Sequence, residues 1–135
     1  MIVLDCSAAM QIALKTPEGL ALRERALGSR KIIAPRIFVE EITNAVWKYV
    51  QAGKLDLENG KKLIDSQIDH IDYLVDTRTM TSEVLAESVR LRHSSYGIFY
   101  FVLARRNDAT LFTLDRTLAG LCKENGVSCV CGTAA

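Results

Sequence analysis

Chain breakers are scarce: the 135 residues include 2 prolines and 8 glycines. That argues against long structureless loops, and no stretch is repeated or of low complexity. No apolar run is long enough to cross a bilayer, so no membrane association is expected. The opening run Ile2-Val3-Leu4 is broken at once by Asp5, too early for the apolar core of a secretory signal. The 4 cysteines, Cys6, Cys122, Cys129 and Cys131, form no paired C-x-x-C set, so a zinc ribbon has no ligands. Without a secretory signal they read as small buried hydrophobes of a reduced, cytoplasmic protein. No G-x-G-x-x-G or P-loop follows an apolar segment, which leaves dinucleotide binding unsupported. An excess of one charge is missing too: 17 Lys and Arg stand against 16 Asp and Glu, for a net +1. Any grip on a polyanion must then come from a local patch.

What is present is ordinary for a globular protein, with 49% hydrophobic and 24% charged residues. The length suits one domain, residues 1–135, with its own core. Residues 1–6 read as a buried strand. Helical spacing covers 8–14 and 18–27, with Thr16-Pro17 as a start signal between them. A short apolar strand at 31–34 closes at Pro35, and helices follow at 37–51 and 56–68, parted by Gly53. Residues 71–75 form a candidate strand. Residues 81–91 are helical, with Glu87 and Arg90 spaced to pair across one turn. Segment 95–105 is apolar almost all round and reads as a buried helix. A strand at 109–114, a helix at 116–124 and a strand at 127–131 complete the chain. Strands alternating with helices imply an α/β fold, a mainly parallel sheet with helices on both faces.

In such folds ligands sit beyond the carboxyl ends of the strands. Asp5 ends the first strand and Asp115 ends Thr110-Leu111-Phe112-Thr113-Leu114. Either alone reads as a cap on the following helix; the pair at one edge points to a site. The segment IFVEEITNAVWKYV contributes a third acid. Wound at about 100° per residue, it gathers Phe38, Ile42, Ala45, Val46 and Tyr49 on one face. Glu41 lies at the margin of that face and Glu40 points away. Trp47 falls opposite the core face, where it marks an interface or packs on the helix at 56–68.

Three converging carboxylates repel one another, and burial makes this worse. A divalent cation resolves the conflict, and Mg²⁺ or Mn²⁺ takes oxygen ligands of this kind. Such a centre activates water and steadies charge on phosphate oxygens. A receiver-like phosphate acceptor built on Asp5 is disfavoured, because LDCSA lacks the further acidic pattern that chemistry needs.

Three segments together resemble a PIN domain, and in particular the VapC-type toxins of type II toxin–antitoxin pairs. They are IVLDCSAAM, APRIFVEEITNAV and SSYGIFYFVLARRNDATLFTLDRTLAGLCKENGV, which together run over nearly the whole chain. The resemblance implies a three-layer α/β/α fold and an acidic pocket for Mg²⁺ or Mn²⁺. It implies cleavage of RNA by a metal-activated water, a cognate antitoxin that silences it, and a homodimer. Asp5, Glu41 and Asp115 match its acidic positions. Ser7 matches a small polar neighbour of the first acid, and Thr113 a hydroxyl near the last. Asn44, on the same helix as Glu41, would hold a carboxylate or a water.

One position departs. Where the family has an Asp in the first turn of the buried helix, this chain has Gly97. A lost negative ligand weakens cation binding and removes a water-orienting group. Water in the space left by Gly97 is the plainest substitute. Asp108 belongs to the opposite sheet edge, Asp76 has a better direction, and Ser94 and Ser95 offer hydroxyls. His93 offers an imidazole, but a lone histidine at a helix start reads first as a capping or surface residue. Arg116, beside Asp115, is the best-placed cation for an RNA phosphate, while Arg105 and Arg106 read as cations steadying a helix C-terminus. The alternative function is a PIN-like protein that binds RNA or a partner without turnover.

Overall fold

The computed structural model describes residues 1–26 and 31–132. Within these the elements run β1 (Ile2–Leu4), α1 (Cys6–Ala13), α2 (Pro17–Ala26), β2 (Ile32–Pro35), α3 (Phe38–Gln51), α4 (Leu57–Asp69) and β3 (Tyr73–Val75). A short 3₁₀ turn (Arg78–Met80) leads into α5 (Thr81–Leu91), α6 (Ser95–Arg106), β4 (Thr110–Thr113), α7 (Arg116–Glu124) and β5 (Cys129–Cys131). Helices on both faces of the sheet give a three-layer α/β/α architecture. The expected end of α2 at Leu27 lies outside the described residues.

All five strands are parallel, in the order β3-β2-β1-β4-β5. β1 is the central strand, and all three of its residues are buried. A strand covered on both faces needs an unbroken apolar run, which Ile2-Val3-Leu4 provides. From β1 the chain builds outward through β2 and β3, then returns to the other side of β1 with β4 and β5. The order reverses between β1 and β4, so a crevice opens there at the carboxyl edge.

Four of the five strands are shorter than the sequence pattern indicates, while β2 keeps its length and takes in Pro35, expected to close it. β1 covers 2–4 rather than 1–6, because Asp5 already caps α1. β5 covers 129–131 rather than 127–131. α6 lies across β1, β2 and β4, and six of its residues from Ile98 to Ala104 are buried. α2 crosses α1 at Gly19, whose hydrogen faces the backbone carbonyl of Gln11 so closely that no Cβ fits. Arg92 ends α5 in the left-handed region (φ 55°), turning the chain so that His93 and Ser94 lead into α6.

Candidate functional site

The crevice between β1 and β4 is a cavity of about 250 Å³ lined by Asp5, Cys6, Ser7, Glu41, His93, Ser94, Tyr96, Gly97, Tyr100, Asp115 and Leu118. Asp5, Glu41 and Asp115 thus come from the ends of β1 and β4 and the first turn of α3, and meet at one place.

Asp5 is 6% exposed. Its Oδ1 accepts from the Ser7 hydroxyl at 2.6 Å and from the Ala8 N–H at 2.9 Å, so it caps α1 while lining the cavity. Ser7 in turn accepts from the Leu114 N–H at 2.9 Å and so ties the end of β1 to the end of β4. Burial raises the Asp5 carboxyl; hydrogen bonds from Ser7, Thr113 and Ala8 oppose this, and the Asp115 charge adds to it. Thr113 is fully buried, and its Oγ1 also accepts from the Asp115 N–H at 3.0 Å.

Glu41 accepts a hydrogen bond from the Tyr100 hydroxyl at 2.7 Å. Burial raises its carboxyl, Tyr100 opposes the rise, and the Asp5 charge strengthens it. The Cys6 thiol is pushed up to about 12 by burial and by Glu41 and Asp5, which leaves it protonated and a poor nucleophile.

Asp115 caps α7 by accepting from the Leu118 N–H at 3.1 Å through Oδ1. Its Oδ2 faces His93 Nε2 at 3.3 Å. His93 is held from the other side by the Ser94 carbonyl, 2.9 Å from Nδ1. Its ring also fills the space above Gly97, where a Cβ would stand 2.6 Å from Cε1 and 3.1 Å from Nδ1. The imidazole, not open space for water, therefore stands where the resemblance implies an acid. His93 lies in an inter-helix turn, where periodicity assigns no direction; the left-handed Arg92 and the bare Gly97 accompany its inward placement.

Other expected residues lie elsewhere. Asn44 is exposed and lines a shallow groove on the outer side of α3 with Val39, Glu40, Thr43 and Trp47, not the acidic cavity. Three residues beyond Glu41 it has turned about 60° further from the core face, enough to carry it past the margin. Trp47 is 56% exposed and borders the same groove. Arg116 is exposed at the start of α7, outside the cavity lining. Arg105 and Arg106 pair with Glu83 and Glu87 rather than only steadying a helix end. Neither Asp76 nor Asp108 lines the cavity.

A hard divalent cation fits this site in donor type and in space: three carboxylates border a cavity wide enough for an ion and waters. The side chains as they stand are not closed around one point, and among the described residues no three His, Cys, Asp or Glu side chains form a group that could hold a metal ion. Ser7, Tyr100 and His93 each engage one acid instead. Ligation requires Asp5, Glu41 and Asp115 to turn toward one another within the cavity.

No family model matches the chain, and no curated protein matches it. Among solved structures, PAE2754 from Pyrobaculum aerophilum is similar: 23% identical, over 88% of this chain and 84% of that one, with a TM-score of 0.69. The likeness shows a shared α/β fold. Among the described residues no helix is long and apolar enough to cross a membrane.

Proposed function

We propose that this chain is a divalent-metal-dependent ribonuclease of the PIN-domain, VapC-toxin kind, acting in the cytoplasm and restrained by a cognate antitoxin. The observation that carries the reading is the meeting of Asp5, Glu41 and Asp115 in one cavity at the point where the strand order reverses. Burial and mutual repulsion raise the Asp5 and Glu41 carboxyls, a tension that a cation relieves.

Under this reading the three acids hold Mg²⁺ or Mn²⁺. When bound, the ion lowers the pKa of a water and steadies charge on the phosphate. The chain's own residues set the stage. Ser7 and the Ala8 N–H hold Asp5, Tyr100 holds Glu41 and the Leu118 N–H holds Asp115 at the cavity wall, from which each would turn toward the ion. Arg116, exposed one residue beyond Asp115, supplies a cation for an RNA phosphate arriving at the cavity. The groove around Trp47 on α3 is where an antitoxin helix would lie, and a second copy of the chain would extend the same surface.

A second reading, binding of RNA or a partner without turnover, draws on a specific observation. Gly97 provides no acid, and the carboxylates that remain are engaged by protein donors.

The test is cleavage of a mixed-sequence RNA in Mn²⁺, in Mg²⁺ and in EDTA. Metal-dependent cleavage that falls at least about a hundredfold in Asp5→Asn supports the nuclease. Retention of labelled RNA without cleavage in any metal establishes the second reading. Cleavage that persists in EDTA and in Asp5→Asn overturns the site.

A further inference from the structure

A second cavity, of about 480 Å³, lies at the other end of α1 from the acidic one: Cys6 and Ser7 of that helix line the acidic cavity, Ile12 and Ala13 the second. We propose that this second cavity binds a small amphipathic carboxylic acid. The ligand has an apolar body, a hydrogen-bonding group at its buried end and a carboxylate at the cavity mouth. The site is independent of any metal in the acidic cavity.

The wall specifies that ligand. Leu4 of β1, Ile12 of α1 and Ile32 of β2 make its body apolar, and its size is that of a small-molecule site. Gln67 of α4 lines it too and is only 4% exposed. Gly60, Leu63 and Ile64, one and two turns earlier on the same helix face, turn to the core, so periodicity calls for an apolar side chain at 67. The Gln67 amide has no hydrogen-bond partner among the described residues. No enclosed side-chain nitrogen or oxygen among them goes without one, so this amide must reach the open space of the cavity. Buried polar groups are rarely left unpaired, and a ligand hydroxyl or carbonyl supplies the partner here. At the rim, Lys15 and Arg23 stand exposed, neither makes an ion pair among the described residues, and no carboxylate lines the cavity. Lys15 holds a left-handed backbone (φ 56°) just past the end of α1, where glycine is the ordinary choice. Unpaired cations at the mouth of an apolar cavity complement a carboxylate on an apolar body.

The intact protein, in EDTA, is titrated with 3-(4-hydroxyphenyl)propionate, with 3-phenylpropionate, which lacks the hydroxyl, and with 3-(4-hydroxyphenyl)propan-1-ol, which lacks the charge. Calorimetry gives the affinities, ¹⁵N amide shifts locate the site, and melting curves confirm that each variant folds. The first compound is expected to bind with a Kd below about 1 mM, and each of the other two at least about fivefold more weakly. Shifts should fall at residues 12–15 and 66–70, not at 5–7 and 93–97. Lys15→Gly, which suits the left-handed backbone, and Arg23→Gln should remove the preference for the carboxylate and keep that for the hydroxyl. Gln67→Leu should do the reverse while melting no lower than the parent. If Gln67→Leu fails to fold, the compound lacking the hydroxyl carries that comparison. Equal affinity for all three compounds makes the cavity merely apolar and overturns the proposal. A carboxylate preference that survives both Lys15→Gly and Arg23→Gln overturns it as well. So does the absence of binding by any of them up to about 5 mM, or shifts confined to the acidic cavity.

Discussion

Tyr100 and Glu41 lie 59 positions apart, yet the phenol of one donates to the carboxylate of the other at 2.7 Å. Tyr100 is on α6, which packs on the central strand, and Glu41 is on α3, which packs on α1 and α4; both residues line the acidic cavity. The buried phenol is held well above its ordinary pKa by burial and by Glu41, so it remains a donor. Removing the hydroxyl leaves Glu41 without this partner. Tyr100→Phe is expected to lower stability by about 1–2 kcal/mol, since hydrogen bonds to charged groups are worth more than neutral ones. Urea unfolding with an unchanged slope checks it.

Asp5 should trade stability for function. Its carboxylate is desolvated, and burial is the largest influence on it. Asn keeps an oxygen to cap α1 and carries no charge. In metal-free buffer at neutral pH, Asp5→Asn should therefore melt a few degrees above the parent, on the order of 1 kcal/mol, while losing Mn²⁺ binding. Calorimetry on both proteins decides it, and a lower melting point would show that the capping set outweighs desolvation.

The two adjacent glutamates should part company. Glu41 lines the cavity and Glu40 borders the outer groove. Glu41→Gln is expected to weaken Mn²⁺ binding by about tenfold or more, and Glu40→Gln to leave it unchanged. Parallel titrations suffice, and equal losses would remove Glu41 from the site.

Glu87 accepts from Arg90 Nε and Nη2, each at 2.8 Å, and from Arg105 Nη1 at 2.7 Å. These hydrogen bonds hold its carboxyl at about 2, below its ordinary value of 4.5. A depressed acid stabilises the fold above its unfolded value and loses that contribution as pH falls toward the folded one. Stability should decline between pH 4.5 and about 2. Solvent screening keeps the Glu87 share within about 1 kcal/mol. Acid unfolding of Glu87→Gln should be flatter across that window.

Gly19 is a test of the scaffold. A methyl there meets the carbonyl of Gln11, which is backbone and cannot swing aside. Gly19→Ala should push α2 off α1 and cost about 3 kcal/mol, read as a fall in the denaturation midpoint. A neutral outcome would mean that α2 slides freely on α1.

Much of this protein is legible in one dimension. Apolar runs such as Ile2-Val3-Leu4 and Leu111-Phe112, alternating with amphipathic segments, dictate an α/β fold because a doubly covered strand must be apolar throughout. The 100° turn of a helix separates Glu41 from Glu40. Asp5 and Asp115 follow apolar strands at one sheet edge, and local pattern alone exposes that. What depends on distant partners is not legible. The strand order places β4 rather than β3 beside β1, and thus puts Asp115 across from Asp5. The left-handed Arg92 and the missing Cβ of Gly97 swing His93 into the cavity. Periodicity specifies which face of an element is apolar; the meeting of side chains tens of residues apart is decided only when the packed core fixes how those faces stand against each other.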